Sequence, residues 1–202
     1  MAFTPAANEQ YTIRRKVMKL FGAAFHIYDA QGQVVGYCKQ KAFKLKEDIR
    51  VFTDESMGTE LLHLSTQQII DFSPKFTVRN AAGQVLGILQ RKGLASTFVR
   101  DEWLILDAAG TQIATLREDS TWLAILRRLH ELFAALSPQK FHVLDMQGKQ
   151  VAMFRQHFNW FVYRLGVAID PAVLDGQGDN DIDPMLLLAA ACLVSAIEGR
   201  QA

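Results

Sequence analysis

The sequence predicts a mainly β fold: a closed antiparallel β-barrel of about twelve strands around a central hydrophobic C-terminal helix. Three observations predict it. A hairpin pattern recurs along the chain, one segment is apolar on every side, and hydrophobic residues make up 50% of the 202 positions. Such a composition supplies a sizeable core, so we expect one domain over residues 1–202.

The hairpin pattern consists of two short runs of alternating residues, joined by an Asp or Asn turn that contains Gly. Clear copies begin at Phe25, Phe76 and Phe141, and weaker copies at Val51 and Trp103. The Asp or Asn side chain bonds to the nearby backbone, and Gly takes the left-handed conformation that ends a bulged hairpin. The glycines in these turns are Gly32, Gly83, Gly110 and Gly148. Five hairpins give about ten strands, and segments 11–18 and 160–169 are candidates for two more.

The central helix is predicted over residues 184–198. Asp183 is a suitable N-cap, Pro184 suits the first helical position, and Gly199 suits the C-terminal cap. Residues 185–197 are uncharged and lack a polar face, so the helix must be enclosed on all sides. A membrane-spanning helix needs about 20 residues, which favours a buried helix. A lumen of about twelve strands is too wide for its own side chains to fill, and a helix about 10 Å across fits it.

A second helix is predicted over residues 120–137, where apolar residues form one stripe and Arg127, Arg128 and Glu131 lie opposite. We expect this amphipathic helix to pack on the barrel surface or to cover one mouth. A membrane-surface or partner-binding helix is the alternative.

Several function classes are disfavoured. The chain has 22 Lys and Arg residues against 21 Asp and Glu residues, so it lacks the basic excess of a nucleic-acid binder. No nucleophile elbow, phosphate-binding loop or histidine metal spacing is present, so we expect no enzyme, no cofactor and no metal site. Cys38 and Cys192 lie far apart in apolar surroundings and no signal segment is evident at the N-terminus, which predicts a cytoplasmic location.

The acidic loop at residues 175–183 leaves two interpretations open. Carboxylates on a Gly-containing loop are candidate calcium ligands: Asp175, Asp179, Asp181 and Asp183. The loop lacks the spacing and the closing Glu of an EF-hand. The alternative is that these acidic residues cap the following helix and interact with its dipole. The sequence does not decide between the two.

The repeated Phe-x-Val-x-Asp-x-x-Gly-x-x-Val-Gly hairpins, followed by an acidic loop and an apolar helix, resemble the LURP-one-related family. That family is grouped with the phospholipid scramblases and the tubby C-terminal domain. The resemblance extends from about Tyr11 to Arg200 and implies a twelve-stranded barrel around a central helix. It also implies two functions: tubby domains bind phosphoinositide headgroups through a cationic pocket, and scramblases are linked to lipid movement and calcium.

Basic residues occupy the equivalent end of the second strand in the three clear hairpins. The candidate anionic-ligand residues are Lys39, Lys41, Arg91, Lys92 and Arg155. If the hairpins point the same way, these residues form a partial basic rim. Further contributors are Arg14, Arg15, Lys16 and Lys19. Solubilising charges at strand ends explain the same pattern.

The function that we expect is a non-enzymatic, tubby-like binding module that engages anionic phospholipid headgroups at a membrane surface without spanning it. A protein–protein interaction scaffold without a small ligand is the first alternative, and it predicts an exposed apolar patch or a homodimer. A scramblase-like lipid transporter is the second. It requires the C-terminal helix to leave the barrel, and the length of that helix argues against this.

Overall fold

The computed structural model describes residues 5–16, 23–40, 48–66, 74–92, 102–119, 139–157, 162–177 and 181–198. Its strands are β1 (Tyr11–Lys16), β2 (Ala23–Asp29), β3 (Val34–Gln40), β4 (Asp48–Phe52), β5 (Glu60–Thr66), β6 (Lys75–Asn80), β7 (Val85–Arg91), β8 (Glu102–Leu106), β9 (Gln112–Glu118), β10 (Lys140–Asp145), β11 (Gln150–His157) and β12 (Arg164–Ile169). Its helices are α1 (Pro171–Leu174) and α2 (Pro184–Glu198). The predicted surface helix at 120–137 lies outside the described residues.

The twelve strands form a closed antiparallel barrel, which confirms the predicted fold class. Each strand pairs with its neighbours in sequence, and β1 pairs with β12 to close the ring at a seam. Because all pairs are antiparallel, β1, β3, β5, β7, β9 and β11 finish at one end of the barrel, which we name the basic end. The tight turns that begin at residues 29, 53, 80, 107 and 145 lie at the opposite end, which we name the turn end.

The turns have the predicted chemistry. In the first hairpin the Asp29 carboxylate accepts hydrogen bonds from the backbone N–H groups of Gln31 and Gln33, at 3.0 and 2.8 Å. The predicted glycines all have φ between 77° and 88°: Gly32, Gly83, Gly110 and Gly148. A register shift accompanies each hairpin, as expected for a bulge. The β4–β5 turn departs from the pattern, because Met57, at φ 57°, takes the left-handed conformation there.

Helix α2 fills the lumen, as predicted. Asp183 caps it by accepting a hydrogen bond from the N–H of Met185 at 2.7 Å, and every residue from Leu186 to Ala196 is buried. The helix contacts β1, β7 and β12. At Gly87 an added Cβ would lie 2.7 Å from a terminal methyl of Leu186, so the missing side chain lets helix and wall approach closely. Among the described residues, no helix is both long and apolar enough to span a bilayer.

Candidate anionic-ligand site

Four of the five candidate residues are described, and all four lie at the basic end, because β3, β7 and β11 run in the same direction. Lys41 lies outside the described residues, as does Lys19. Lys39 and Arg155 are exposed on the outer face, and Lys92 follows β7 with an exposed side chain. Arg91 differs, because it pairs in register with buried Trp103 and therefore occupies a position that faces the lumen.

The hairpin repeat does not bring these residues together. Strands β3, β7 and β11 are separated by four steps around the ring. At about 4.8 Å per step, this places their outward side chains roughly 19 Å apart along the wall. A single phosphate group is too small to contact more than one of these positions.

The surroundings of the three strand ends also differ. Glu102 lies 3.2 Å from the Lys92 ammonium and 3.1 Å from the Arg117 guanidinium, so the cations of this sector share a carboxylate. Arg155, in contrast, lies directly opposite Lys140 on β10. Like charges in opposite positions of an antiparallel pair repel each other, and Cβ atoms there are about 5 Å apart.

Arg155 belongs to a larger group of residues on β10, β11 and β12, which ring closure extends to β1. Arg14 on β1 lies opposite Arg164 on β12, and Arg164 lies opposite His157 on β11. Their positions are out of phase with the lumen-facing Ile13, Phe154 and Leu165, so they occupy outward positions of neighbouring strands. We name this group the seam cluster: Arg14, Lys140, Arg155, His157 and Arg164. Sequence analysis singled out Arg14 and Arg155 and missed Lys140 and Arg164. The pairing of the first and last strands is what places Arg14 beside Arg164.

The carboxylate of Glu9 lies beside His157 of the seam cluster. Its Oε1 is 2.6 Å from His157 Nε2, and its Oε2 accepts a 3.4 Å hydrogen bond from the Thr12 hydroxyl. The carboxylate packs directly over Gly166, where an added Cβ would collide with it. Glu9 is only 8% exposed, so this surface of the barrel holds a carboxylate in a formed pocket.

The two ends of the described barrel differ in charge. The turn end carries a set of acids: Asp29, Asp54, Glu55, Asp107, Asp145, Asp170, Asp175, Asp181 and Asp183. Many of them have a structural role there, since Asp29 and Asp145 hold turns and Asp170 and Asp183 cap helices. The basic end carries the cations named above together with Lys75 and Arg117, and fewer carboxylates, namely Asp48, Glu102, Glu118 and Asp119. Lys92 and Arg117 both pair with Glu102.

Other candidate sites are accounted for by local structure. Asp170 caps α1 and lies 3.3 Å from Lys149, and its pKa is lowered by the backbone N–H of Ala172 and by that lysine. Asp183 caps α2, whereas Asp179 lies outside the described residues. Across the described ranges, no three His, Cys, Asp or Glu side chains are grouped closely enough to hold a metal ion.

The four histidines in the described ranges lie on the outer face and contact carboxylates. His26 and His63 each lie 2.6 Å from one, Glu55 and Asp48 respectively. Both cysteines, in contrast, are buried and free. Burial raises the pKa of Cys192 to about 12, and burial with the nearby Cys192 thiol holds the pKa of Cys38 well above its usual range.

Fold and surface together define a closed antiparallel β-barrel protein with a buried central helix and a cationic outer face at one end. Residues 36–133 match the family model described as LURP-one-related. This match confirms the resemblance that the hairpins predicted, over a narrower range than the expected one. No curated protein sequence matches the chain.

Proposed function

We propose that this protein is a non-enzymatic, tubby-like binding module of the cytoplasm whose basic end engages an anionic lipid surface peripherally. The separation of charge between the two ends carries the proposal. Acids at the turn end serve turns and caps, whereas at the basic end cations outnumber carboxylates among the described residues. A positively charged face attracts anionic headgroups, at about 1 kcal/mol for each Lys or Arg near the membrane.

Cosedimentation with lipid vesicles tests this proposal. Vesicles that contain phosphatidylserine should retain more protein than neutral phosphatidylcholine vesicles at low ionic strength, and 0.5 M salt should release it. The double variant Lys39→Gln/Arg155→Gln removes two exposed cations from the basic end, and the cited energy per cation predicts roughly 30-fold weaker binding.

The matched control removes the same charge from the opposite end. Arg79 and Lys149 lie near the turn end, so Arg79→Gln/Lys149→Gln changes the net charge equally and should leave vesicle binding within about twofold. Equal retention on anionic and neutral vesicles refutes the proposal. An equal loss in both double variants refutes the assignment to the basic end.

A protein–protein interaction scaffold is the second candidate, because exposed apolar side chains gather at the turn end. Among the described residues, the large hydrophobic side chains that are clearly exposed are Val34, Val35, Met57, Met146 and Leu174. All of them lie in or beside the turns or α1. This role predicts indifference to lipid charge and a stable homodimer or partner complex, which sedimentation velocity measures.

A further inference from the structure

We infer that Cys38 on β3 and Cys192 on α2 face each other inside the barrel, and that their thiols join in a disulfide when the chain folds in the presence of an oxidant. The closed wall then preserves the state, dithiol or disulfide, in which the barrel formed. This inference concerns the lumen and does not depend on the lipid-binding function proposed above, so the two proposals fail separately.

The first step fixes which side of α2 faces which strand. Leu186 approaches Gly87 on β7, and Ala190 and Val194 line one small apolar gap with residues of β7, β8 and β9. Successive helical residues point about 100° apart, so these three side chains point to roughly 0°, 40° and 80° when Leu186 is taken as zero. Strands β7, β8 and β9 therefore follow one another over this arc.

The second step counts strands around the ring. Cys192 follows Leu186 by six residues, so its side chain points to roughly 240° on the same scale. Twelve strands divide the ring into steps of about 30°. Eight such steps from β7, in the direction of β8 and β9, lead to β3. Cys192 therefore points toward the strand that carries Cys38.

The third step compares positions along the barrel axis. Cys38 and Leu89 are equivalent in their hairpins, because each lies opposite the phenylalanine that begins its hairpin. The repeat thus places Cys38 at the level of Leu89, whose side chain lines the gap beside Ala190 and Val194. Cys192 lies midway between those two residues of α2, so both thiols are at the same level.

Burial and electrostatics support this placement. Both cysteines are 0% exposed and belong to one continuous core cluster. Burial is the larger cause of the raised pKa of Cys38, and the Cys192 thiol is the second. A Coulombic effect of this kind requires the two groups to be close. Helix and wall therefore bring together the two cysteines that the chain contains.

Glutathione disulfide is the oxidant that we invoke. One protein thiolate attacks it and releases one glutathione, and the second protein thiolate attacks the mixed disulfide and releases another. Both S–H bonds break, one S–S bond forms between Cys38 and Cys192, and the two electrons and two protons end on the two glutathione thiols. Burial and the raised pKa of both cysteines suppress this exchange in the closed barrel, so it takes place while the wall is open.

Refolding from urea with glutathione disulfide tests the inference. Free thiols are alkylated under denaturing conditions, mass spectrometry measures the fraction that escapes alkylation, and peptide mapping identifies the Cys38–Cys192 link. We expect most of the refolded monomer to carry this link. The same reagent added to the folded dithiol protein should produce at least tenfold less link in the same time.

The double variant Cys192→Ala/Ala190→Cys is the matched control. It exchanges two side chains of α2, keeps the composition, and turns the thiol by about 160° toward β7–β9. Random linkage in the unfolded chain is nearly the same in both proteins, because the separation in sequence from Cys38 changes by only two residues. We expect at least tenfold less link in this variant. Circular dichroism checks that it folds, and Cys192→Ala/Val194→Cys replaces it if it does not.

Equal linkage in the wild type and the control variant overturns the inference. A wild type that forms no link, or only links between molecules, overturns it as well. If the folded dithiol protein is linked as fast as the refolding chain, the closed wall does not preserve the redox state, and that part of the inference is wrong.

Discussion

Enclosure of α2 on every side makes a quantitative prediction for three consecutive leucines. Leu186, Leu187 and Leu188 point in directions about 100° apart around the helix, and they are 0%, 0% and 5% exposed. Replacing any one by Ala removes about three carbon atoms from the core, which corresponds to about 2.4 kcal/mol of transfer free energy. The cavity left behind raises the expected loss to about 3–5 kcal/mol in the free energy of unfolding.

Thermal and urea unfolding, followed by tryptophan fluorescence, measure this loss. For a chain of this size each kcal/mol lowers the Tm by about 2–4 °C, so each variant should melt roughly 6–20 °C below the wild type. Leu174→Ala in α1 is the control, because its side chain is 38% exposed, and it should change the free energy of unfolding by less than about 1 kcal/mol. A helix on the surface would turn at least one of the three leucines toward water. A loss below about 1 kcal/mol for any of them therefore refutes the enclosed helix.

Three further predictions follow from buried or strained positions. Ser195 is 1% exposed, and its hydroxyl has no hydrogen-bond partner in the described part of the chain. Ser195→Ala should therefore leave the free energy of unfolding unchanged or raise it by about 1 kcal/mol. Urea denaturation measures this change. Gly148→Ala should lower the free energy of unfolding by about 1 kcal/mol, because the φ of residue 148 is 82°, which an L side chain rarely adopts. An added Cβ meets nothing within 4 Å, so backbone strain is the only cost. An unchanged urea midpoint would contradict the assigned turn. Burial raises the pKa of both Cys38 and Cys192, so both remain protonated thiols at pH 8. They should therefore react with a thiol reagent only after denaturation. Labelling of the native protein would disprove their burial.

The barrel and its filler helix were predictable because their signals are local. An Asp29-type turn and the Asp183 cap involve contacts within a few residues, and both appear in the structure as expected. The enclosed position of α2 was predictable because its sequence has no polar face. The Met57 turn escaped prediction, since a left-handed Met next to Gly58 breaks the rule that assigns this conformation to Gly.

The candidate site was much less predictable, because its contacts are non-local. Aligning hairpins correctly placed Lys39 and Arg155 at one end of the barrel, but the repeat distributes such residues evenly around the ring. The pocket depends on Glu9 and His157, which are 148 positions apart in sequence. Only the pairing of the first strand with the last makes them neighbours, and no turn or periodicity in the sequence reports that pairing.

The seam between β1 and β12 also constrains the order in which the chain can fold. The earliest strand to emerge during synthesis finds its second partner only when the last strand has been made, and α2 comes later still. Until then the nascent chain exposes an unpaired strand edge and an unfilled apolar lumen, both of which favour aggregation. Closing so long a loop is slow, and the wall must admit the helix before it seals. We therefore expect refolding to be slow and concentration-sensitive even though the finished barrel is tightly packed.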